Sequence, residues 1–112
     1  MLTGRGLFED VERARGEAAF WWLGQHSFIV TMGGAVLLID PYLNEDARRN
    51  VPPLFHPVDA ADVVDAVLCT HDHTDHIDPA AIPGLAEETG AHFVAPAAHK
   101  ERMRSLGVPE DR

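Results

Sequence analysis

The stretch Thr70-His71-Asp72-His73-Thr74-Asp75-His76-Ile77-Asp78 decides how this 112-residue chain is interpreted, because three imidazoles and three carboxylates fall within eight consecutive residues. It follows the run Ala66-Val67-Leu68-Cys69, which is short, apolar and β-branched in the middle, and such a run predicts a buried strand. The polar cluster therefore begins where a strand ends. In open α/β sheets, ligand sites gather at the carboxyl ends of strands.

The spacing of these side chains predicts a divalent-metal site. In extended backbone, residues i and i+2 point the same way, so His71 and His73 can converge on one ion. After a turn, the adjacent Asp75 and His76 can aim at a second ion nearby. Imidazole with carboxylate suits zinc, manganese or iron, and two ions roughly 3.5–4 Å apart can activate water for hydrolysis. We prefer this to an ion-free surface loop, in which the clustered carboxylates would only repel one another.

The motif His-x-His-x-Asp-His after an apolar strand resembles the signature of the metallo-β-lactamase fold superfamily. Four further stretches are similar to one branch of it, the L-ascorbate-6-phosphate lactonase family. They are Phe20-Trp21-Trp22-Leu23-Gly24, Leu38-Ile39-Asp40-Pro41, Asp65-Ala66-Val67-Leu68 running into the histidine motif, and Gly107-Val108-Pro109-Glu110. The similarity covers most of residues 18–112 and is most specific at the metal motif.

This resemblance implies an α/β fold, the N-terminal part of a metallo-β-lactamase-like αββα sandwich with a twisted sheet and outer helices. It implies lactone or ester hydrolysis with two divalent ions, Mn2+ or Zn2+, and a phosphorylated sugar-acid lactone as the nearest small-molecule substrate. His71 and His73 would hold the first metal, and Asp75 and His76 the second, with Asp75 also catalytic. Asp40, at a strand end, would orient a metal ligand without binding the ion, although a turn-capping role is the alternative.

Composition limits the class of protein. The apolar fraction of 46% with 24% charged residues indicates a globular chain, and 112 residues suit a single domain over 1–112. A net charge of −9 argues against nucleic acid as a partner. No apolar run approaches membrane-spanning length, so no membrane partner is expected. The single cysteine fits a reducing compartment, and we expect a cytoplasmic location.

The chain departs from the superfamily in one respect that affects activity. Members supply a further histidine, a bridging aspartate and a final histidine from later positions, whereas His92 and His99 lie too early to replace them. We therefore expect an incomplete domain that is inactive alone, and that either self-associates or needs a complementing C-terminal half. The alternatives are a catalytically inactive metal-binding module and a phosphodiesterase of the same superfamily. An HD-type phosphohydrolase is disfavoured, because its ligands are spread over several helices.

The remaining patterns predict the secondary structure and the roles of the other polar residues. Helices are expected over residues 7–19, over an interrupted stretch at 79–90, and over 96–106; strands are expected at 20–23, 27–32, 35–39 and 91–95, with a Gly33-Gly34 hairpin turn. We interpret Asp78 as a helix N-cap and Cys69 as a buried hydrophobe. The residues interpreted as solvated or surface groups are His26, Arg48, Arg49, Asp59, Asp62 and Asp65, while His56 stays ambiguous. The alternatives are that His26 lines the site and that Arg48 and Arg49 meet an anionic substrate.

Overall fold

The computed structural model describes residues 2–71, 73 and 76–112, and it confirms the α/β fold class. In this part of the chain, five strands form one sheet in sequence order. The first three strands pair antiparallel, and the third, fourth and fifth pair parallel. The strands are β1 (Ala19–Trp22), β2 (Phe28–Met32), β3 (Ala35–Ile39), β4 (Ala66–Leu68) and β5 (His92–Val94).

The helices are shorter than their sequence patterns predict. They are α1 (Gly4–Arg13), α2 (Ile82–Glu88) and α3 (Lys100–Ser105). The first helix ends before Ala19 because the chain turns at Gly16, whose φ of 100° lies in the left-handed region. The second begins late, with Pro83 in its first turn, where a missing N–H costs nothing. No helix within the described residues has the length and apolar character to cross a membrane.

All three helices contribute to a core that covers one face of the sheet. Alternate strand residues point into it, and Ile29, Val36, Leu38 and Val67 are fully buried. Pairing of Ile29 with Leu38, and of Leu38 with Val67, places these side chains in one row across the sheet. The helices supply the opposing apolar residues, among them Leu7, Phe8, Val11, Ile82, Leu85 and Met103.

The opposite face of the sheet is apolar and largely uncovered within the described residues. Phe20 is 71% exposed, and Trp22, Met32 and Val94 are each more than half exposed. Phe20 packs edge-on against Phe28, with ring centroids 6.1 Å apart. An apolar surface of this kind normally marks a contact with another protein segment.

One carboxylate interpreted from sequence as solvated is half-exposed, and it also joins three parts of the fold. Asp65 Oδ2 accepts hydrogen bonds from Val36 N and from Arg15 Nη1, both at 2.8 Å. Arg15 also donates to the carbonyls of Gly34 and Val63, which ties α1 to the sheet. Burial alone would raise the pKa of Asp65, but the Val36 N–H and the Arg15 guanidinium outweigh it and lower that pKa.

We expect Asp65→Asn to lower the free energy of unfolding by about 1 kcal/mol at pH 7, because the pair is half-exposed and partly screened. Because folding lowers its pKa, Asp65 stabilises the folded chain at pH values above the ordinary aspartate pKa of about 3.9. The difference from wild type should shrink as the pH falls through the lowered pKa. Urea unfolding at pH 7 and at about pH 3 measures both effects.

The matched control is Asp62→Asn, which removes the same charge from an exposed position. An equal loss of stability in the two variants at pH 7 would contradict the role assigned to Asp65.

Candidate metal centre

Two parallel strands bring the sequence-predicted site residues to one edge of the sheet. Ile39 pairs with Leu68, so Asp40 and Thr70 lie side by side where β3 and β4 end. The backbone N–H of Asp40 donates to the carbonyl of Leu68 at 2.8 Å, which extends the pairing by one residue. His71 therefore leaves the sheet directly beside Asp40.

The turn between β1 and β2 lies at the same edge. β2 runs antiparallel to β3 and begins with Phe28 opposite Ile39, so the residues before Phe28 meet those after Ile39. Ser27 Oγ donates to the carbonyl oxygen of Asp40 at 2.5 Å. This register brings His26 to the polar cluster.

Four imidazoles converge at this edge. The rings of His71 and His76 have centroids 3.5 Å apart, and those of His71 and His73 are 4.7 Å apart. The ring of His26 stacks on His76 at 3.7 Å with an interplanar angle of 12°. The rings of His71, His73 and His76 thus lie together, and their roles as ligands of two ions stay predictions. Asp75 lies outside the described residues, so its roles as ligand and catalytic group also stay predictions.

Asp40 is the buried centre of the hydrogen bonding around these rings. Its Oδ1 accepts from Thr70 N at 2.7 Å, and its Oδ2 accepts from Thr70 Oγ1 at 2.6 Å. Oδ2 also lies 2.9 Å from His76 Nδ1. When Nδ1 of His76 carries the proton, it donates to Asp40, and the lone pair of the ring is then on Nε2, the nitrogen that could bind a metal. The predicted role of Asp40 stays a prediction, and its geometry is that of a group orienting His76.

Thr70 extends the same arrangement to a second imidazole. Because its hydroxyl proton is given to Asp40, Thr70 Oγ1 can accept from a ring N–H. That oxygen lies 3.1 Å from His71 Nδ1 and 3.2 Å from His76 Nδ1. Thr70 is not among the site residues predicted from sequence, although its position just after β4 places it beside the motif.

The donor set in the described residues fits a divalent ion. His26, Asp40 and His76 each offer one ligand atom, and these atoms lie within 4.8 Å of one another. Imidazole and carboxylate donors are those that zinc and manganese take in proteins. The sequence left two roles open for His26, a surface turn and a position lining the site. The structure favours the second, since this turn residue is half-buried and stacked on a motif histidine. The hairpin register was the signal that could have revealed it.

Asp78 caps the turn that leads into α2 and also has a second role. Its Oδ1 accepts from Ala80 N at 2.9 Å, although the helix itself begins later, with Ala81 as its N-cap. Asp78 is fully buried, and its Oδ2 accepts from the backbone N–H groups of Leu43 and Asn44 at 2.7 and 3.1 Å. Asp78 therefore fastens the loop after β3 to the turn that follows the histidine motif.

Of the two arginines interpreted as a solvated pair, Arg48 is solvated as predicted and Arg49 is not. Arg48 is exposed and binds Asp46, and this hydrogen bond lowers the pKa of Asp46 to about 2. Arg49 folds inward, where Nη1 donates to the carbonyls of Tyr42 and Asn44 and its guanidinium lies 4.5 Å from the centre of the Tyr42 ring. Arg49 thereby holds the loop at Tyr42 in place. This loop borders the histidine cluster, because the ring of Tyr42 lies 6.4 Å from that of His26.

Cys69 is a buried hydrophobe, as predicted. Its side chain lies in the core, and burial together with the charge of Asp40 raises the pKa of the thiol to about 12. The thiolate is the form that binds metals, so this environment disfavours Cys69 as a ligand. His56, His92 and His99 lie in other elements and are not part of the ring contacts described above.

Comparison with known proteins places the chain in a family. The family model described as "Beta-lactamase superfamily domain" matches residues 19–109. The chain belongs to the beta-lactamase superfamily. This membership confirms the superfamily that the His-x-His-x-Asp-His motif indicated, whereas the resemblance to lactonases stays a prediction.

Relatives within this superfamily are longer proteins. The chain is 39% identical over 99 residues to a UPF0173 metal-dependent hydrolase of Cupriavidus taiwanensis, which covers 87% of the chain and 33% of that protein. It is 34% identical over 100 residues to another of Anaeromyxobacter sp., covering 88% and 34%. An uncharacterized protein of Mycobacterium tuberculosis is 32% identical over 108 residues, covering 88% and 29%. The chain spans about a third of the length of the curated relatives it matches.

We expect Asp40→Asn to weaken divalent-metal binding by roughly 10–100-fold without abolishing it, the usual effect of losing a partner that orients a ligand. Asparagine tolerates the left-handed φ of 44° at this position, so the backbone should be little disturbed. Isothermal titration with Zn2+ or Mn2+ measures the affinity. Asp62→Asn controls for the loss of one negative charge, and an unchanged affinity in Asp40→Asn would leave Asp40 as only a turn residue.

Proposed function

We propose that this member of the beta-lactamase superfamily supplies the metal-binding half of a hydrolase site. The observation that carries the proposal is the convergence of four imidazoles at one sheet edge, with His76 oriented by the buried carboxylate of Asp40. Two of the relatives described above carry the name metal-dependent hydrolase. We propose the same kind of reaction, metal-dependent hydrolysis, for this chain.

The residues divide into those that bind and those that orient. His71 and His73 would hold one divalent ion, and His76 with the sequence-predicted Asp75 a second. Asp40 and Thr70 would orient the rings of His76 and His71, whose Nδ1 atoms lie within hydrogen-bonding distance of them. When bound, Mn2+ or Zn2+ would supply the Lewis acidity that lowers the pKa of water and polarises a carbonyl.

A lactone or related ester of a small acid is the substrate class that we propose, with a phosphorylated sugar-acid lactone as the nearest analogy. The net charge of −9 opposes binding of nucleic acid. The chain contributes few donors to two ions, whereas catalytic zinc sites use three protein ligands each. We therefore propose that the isolated chain turns over substrate slowly or not at all. We also propose that the protein acts in the reducing cytoplasm, a compartment in which a single unpaired cysteine is usual.

We propose that the uncovered face of the sheet is where a partner segment binds and completes the site. Phe20, Trp22, Met32 and Val94 form an apolar surface on the side of the sheet away from the helices. This segment would pack against the apolar surface in an active protein. The relatives described above are about three times as long as the matched region, which leaves enough sequence for such a segment. In the isolated chain, a second copy would take that place.

We expect the double variant His71→Ala, His73→Ala to lose divalent-metal affinity by more than about 100-fold relative to wild type, because two of the proposed ligands are removed. Titration of Zn2+ or Mn2+ into the apo protein measures this. The matched control is His92→Ala, which removes an exposed imidazole from β5. Equal affinity in wild type and the double variant would contradict the proposed site.

We expect the purified chain to self-associate through the exposed sheet face, and to show little metal-dependent lactone hydrolysis. Phe20→Glu should shift the sedimentation coefficient toward the monomer, because it places a charge in the apolar surface. Val58→Glu is the control, since Val58 is equally apolar and half-exposed but lies on the 3₁₀ turn at Pro57–Ala60. Fast metal-dependent turnover by a clean monomer would refute both expectations.

A further inference from the structure

We infer that the free edge of β1 is a contact between two copies of this chain, which pair through their backbones into one continuous sheet. This contact is separate from the association through the sheet face described above. It uses the edge of the strand, and it leaves the face open to a complementing segment. It involves no residue of the metal centre.

The two edges of the sheet differ in how their backbone groups are satisfied. The sheet runs in order from β1 to β5, so these two strands form its edges. At the β5 edge, Phe93 N donates to the carbonyl of Arg112 at 2.7 Å. Within the part of the chain that the structure describes, no group hydrogen-bonds to the outward backbone atoms of β1. An edge strand with unpaired N–H and C=O groups is a template for pairing with another strand.

The hairpin between β1 and β2 determines which residues of β1 have outward backbone groups. Leu23 N donates to the carbonyl of Ser27 at 2.9 Å, so Leu23 and, two residues before it, Trp21 are hydrogen-bonded positions facing β2. In an antiparallel pair, such positions alternate with residues whose N–H and C=O groups point away from the partner strand. Phe20 and Trp22 therefore direct their backbone groups to the open edge.

The composition of β1 favours pairing at this edge. Natural edge strands are usually protected by lysine, by proline or by a β-bulge. β1 has the sequence Ala19-Phe20-Trp21-Trp22, with no charged residue and no proline, and it pairs with β2 without a bulge. The whole chain has a net charge of −9, so a strand free of carboxylates is a surface at which two copies can approach with little repulsion.

One register pairs all of the outward groups of β1. With a two-fold axis at Trp21, antiparallel pairing of two β1 strands places Phe20 of each copy opposite Trp22 of the other. Each of these pairs exchanges two N–H···O=C hydrogen bonds. A shift by two residues leaves only one such pair within the strand. A contact with two-fold symmetry is closed, so it gives a dimer and not a fibre.

The side chains agree with this register. Phe20 and Trp22 are exposed on the uncovered face, and the pairing would place their rings side by side as favourable cross-strand aromatic pairs. Trp21 and Trp22, on opposite faces of the strand, both line an apolar groove of about 210 Å³ together with Leu2 and Leu54. The groove therefore reaches the open edge, where it offers apolar surface to Trp21 of the second copy.

The first test is backbone hydrogen exchange of the metal-free wild-type chain, resolved by residue with NMR at two protein concentrations. We expect the Phe20 and Trp22 amides to be protected in the concentrated sample and to exchange quickly in the dilute one, because only the second copy accepts their hydrogen bonds. The Trp21 amide is the internal control, since it donates to β2 and should stay protected in both samples. Rapid exchange of the Phe20 and Trp22 amides in both samples would overturn the inference.

The second test compares two substitutions at one position by sedimentation. Phe20→Ala and Phe20→Pro remove the same aromatic ring, but only proline also removes the outward N–H, which β2 does not use. We expect the dissociation constant of the dimer to be roughly 30-fold or more higher for Phe20→Pro than for Phe20→Ala. Each copy loses a hydrogen-bond donor, and the proline ring obstructs the partner strand. Equal dissociation constants would contradict the edge contact, as would a wild-type chain that is monomeric at its highest soluble concentration.

The control variant is Met32→Ala, because Met32 is exposed on the same face of the sheet but lies in β2. Weaker association in Met32→Ala, with none of the loss expected for Phe20→Pro, would assign the association to the face and overturn the inference. Far-UV circular dichroism with urea unfolding establishes that each variant is folded. If Phe20→Pro does not fold, the exchange of the wild-type amides decides. All samples are free of metal, so a failure here is distinct from a failure of the proposed metal site.

Discussion

The buried carboxylate of Asp40 is the interaction on which the candidate metal centre depends. This carboxylate accepts two hydrogen bonds from Thr70 and lies against Nδ1 of His76. The backbone carbonyl of Asp40 accepts a hydrogen bond from the hydroxyl of Ser27. A buried carboxylate is unfavourable unless it is well supplied with donors, and here the donors are the groups that shape the site. The solvation of one charge is thus coupled to the positions of the rings around it.

The coupling works because the sheet changes from antiparallel to parallel pairing at β3. The end of β3 meets both the start of β2, which pairs antiparallel, and the end of β4, which pairs parallel. One edge of the sheet therefore collects a hairpin turn and two strand ends. Gln25 and Asp40, the non-glycine residues with positive φ in the described part of the chain, both lie at this edge. Backbone strain and polar side chains are concentrated together, as is usual at functional sites.

The two faces of the sheet differ in how far they are buried. The helices bury one face, while Phe20, Trp22, Met32 and Val94 leave the other apolar and exposed. The chain corresponds to about a third of the relatives it matches. In the proposal, a single complementing segment would contribute both further metal ligands and packing against this face.

Much of this structure could be predicted from sequence alone. The apolar runs and the Gly33-Gly34 turn located β1, β2, β3 and β4, because strand and hairpin signals are local. The histidine motif indicated the superfamily for the same reason, since its ligands lie within six residues of one another. Helix ends were predicted less well, because they depended on the φ of Gly16 and on the placement of Pro83.

Only the tertiary structure decided the roles of residues whose partners are distant in sequence. His26 meets His76, Asp65 meets Arg15, and Asp78 meets the loop at Leu43, across separations that no local pattern records. Each was assigned from its neighbours as a surface, solvated or capping residue. The physical reason is that strand register and parallel pairing bring these groups together, and a polar side chain in a turn looks the same in sequence whether it faces water or a buried partner.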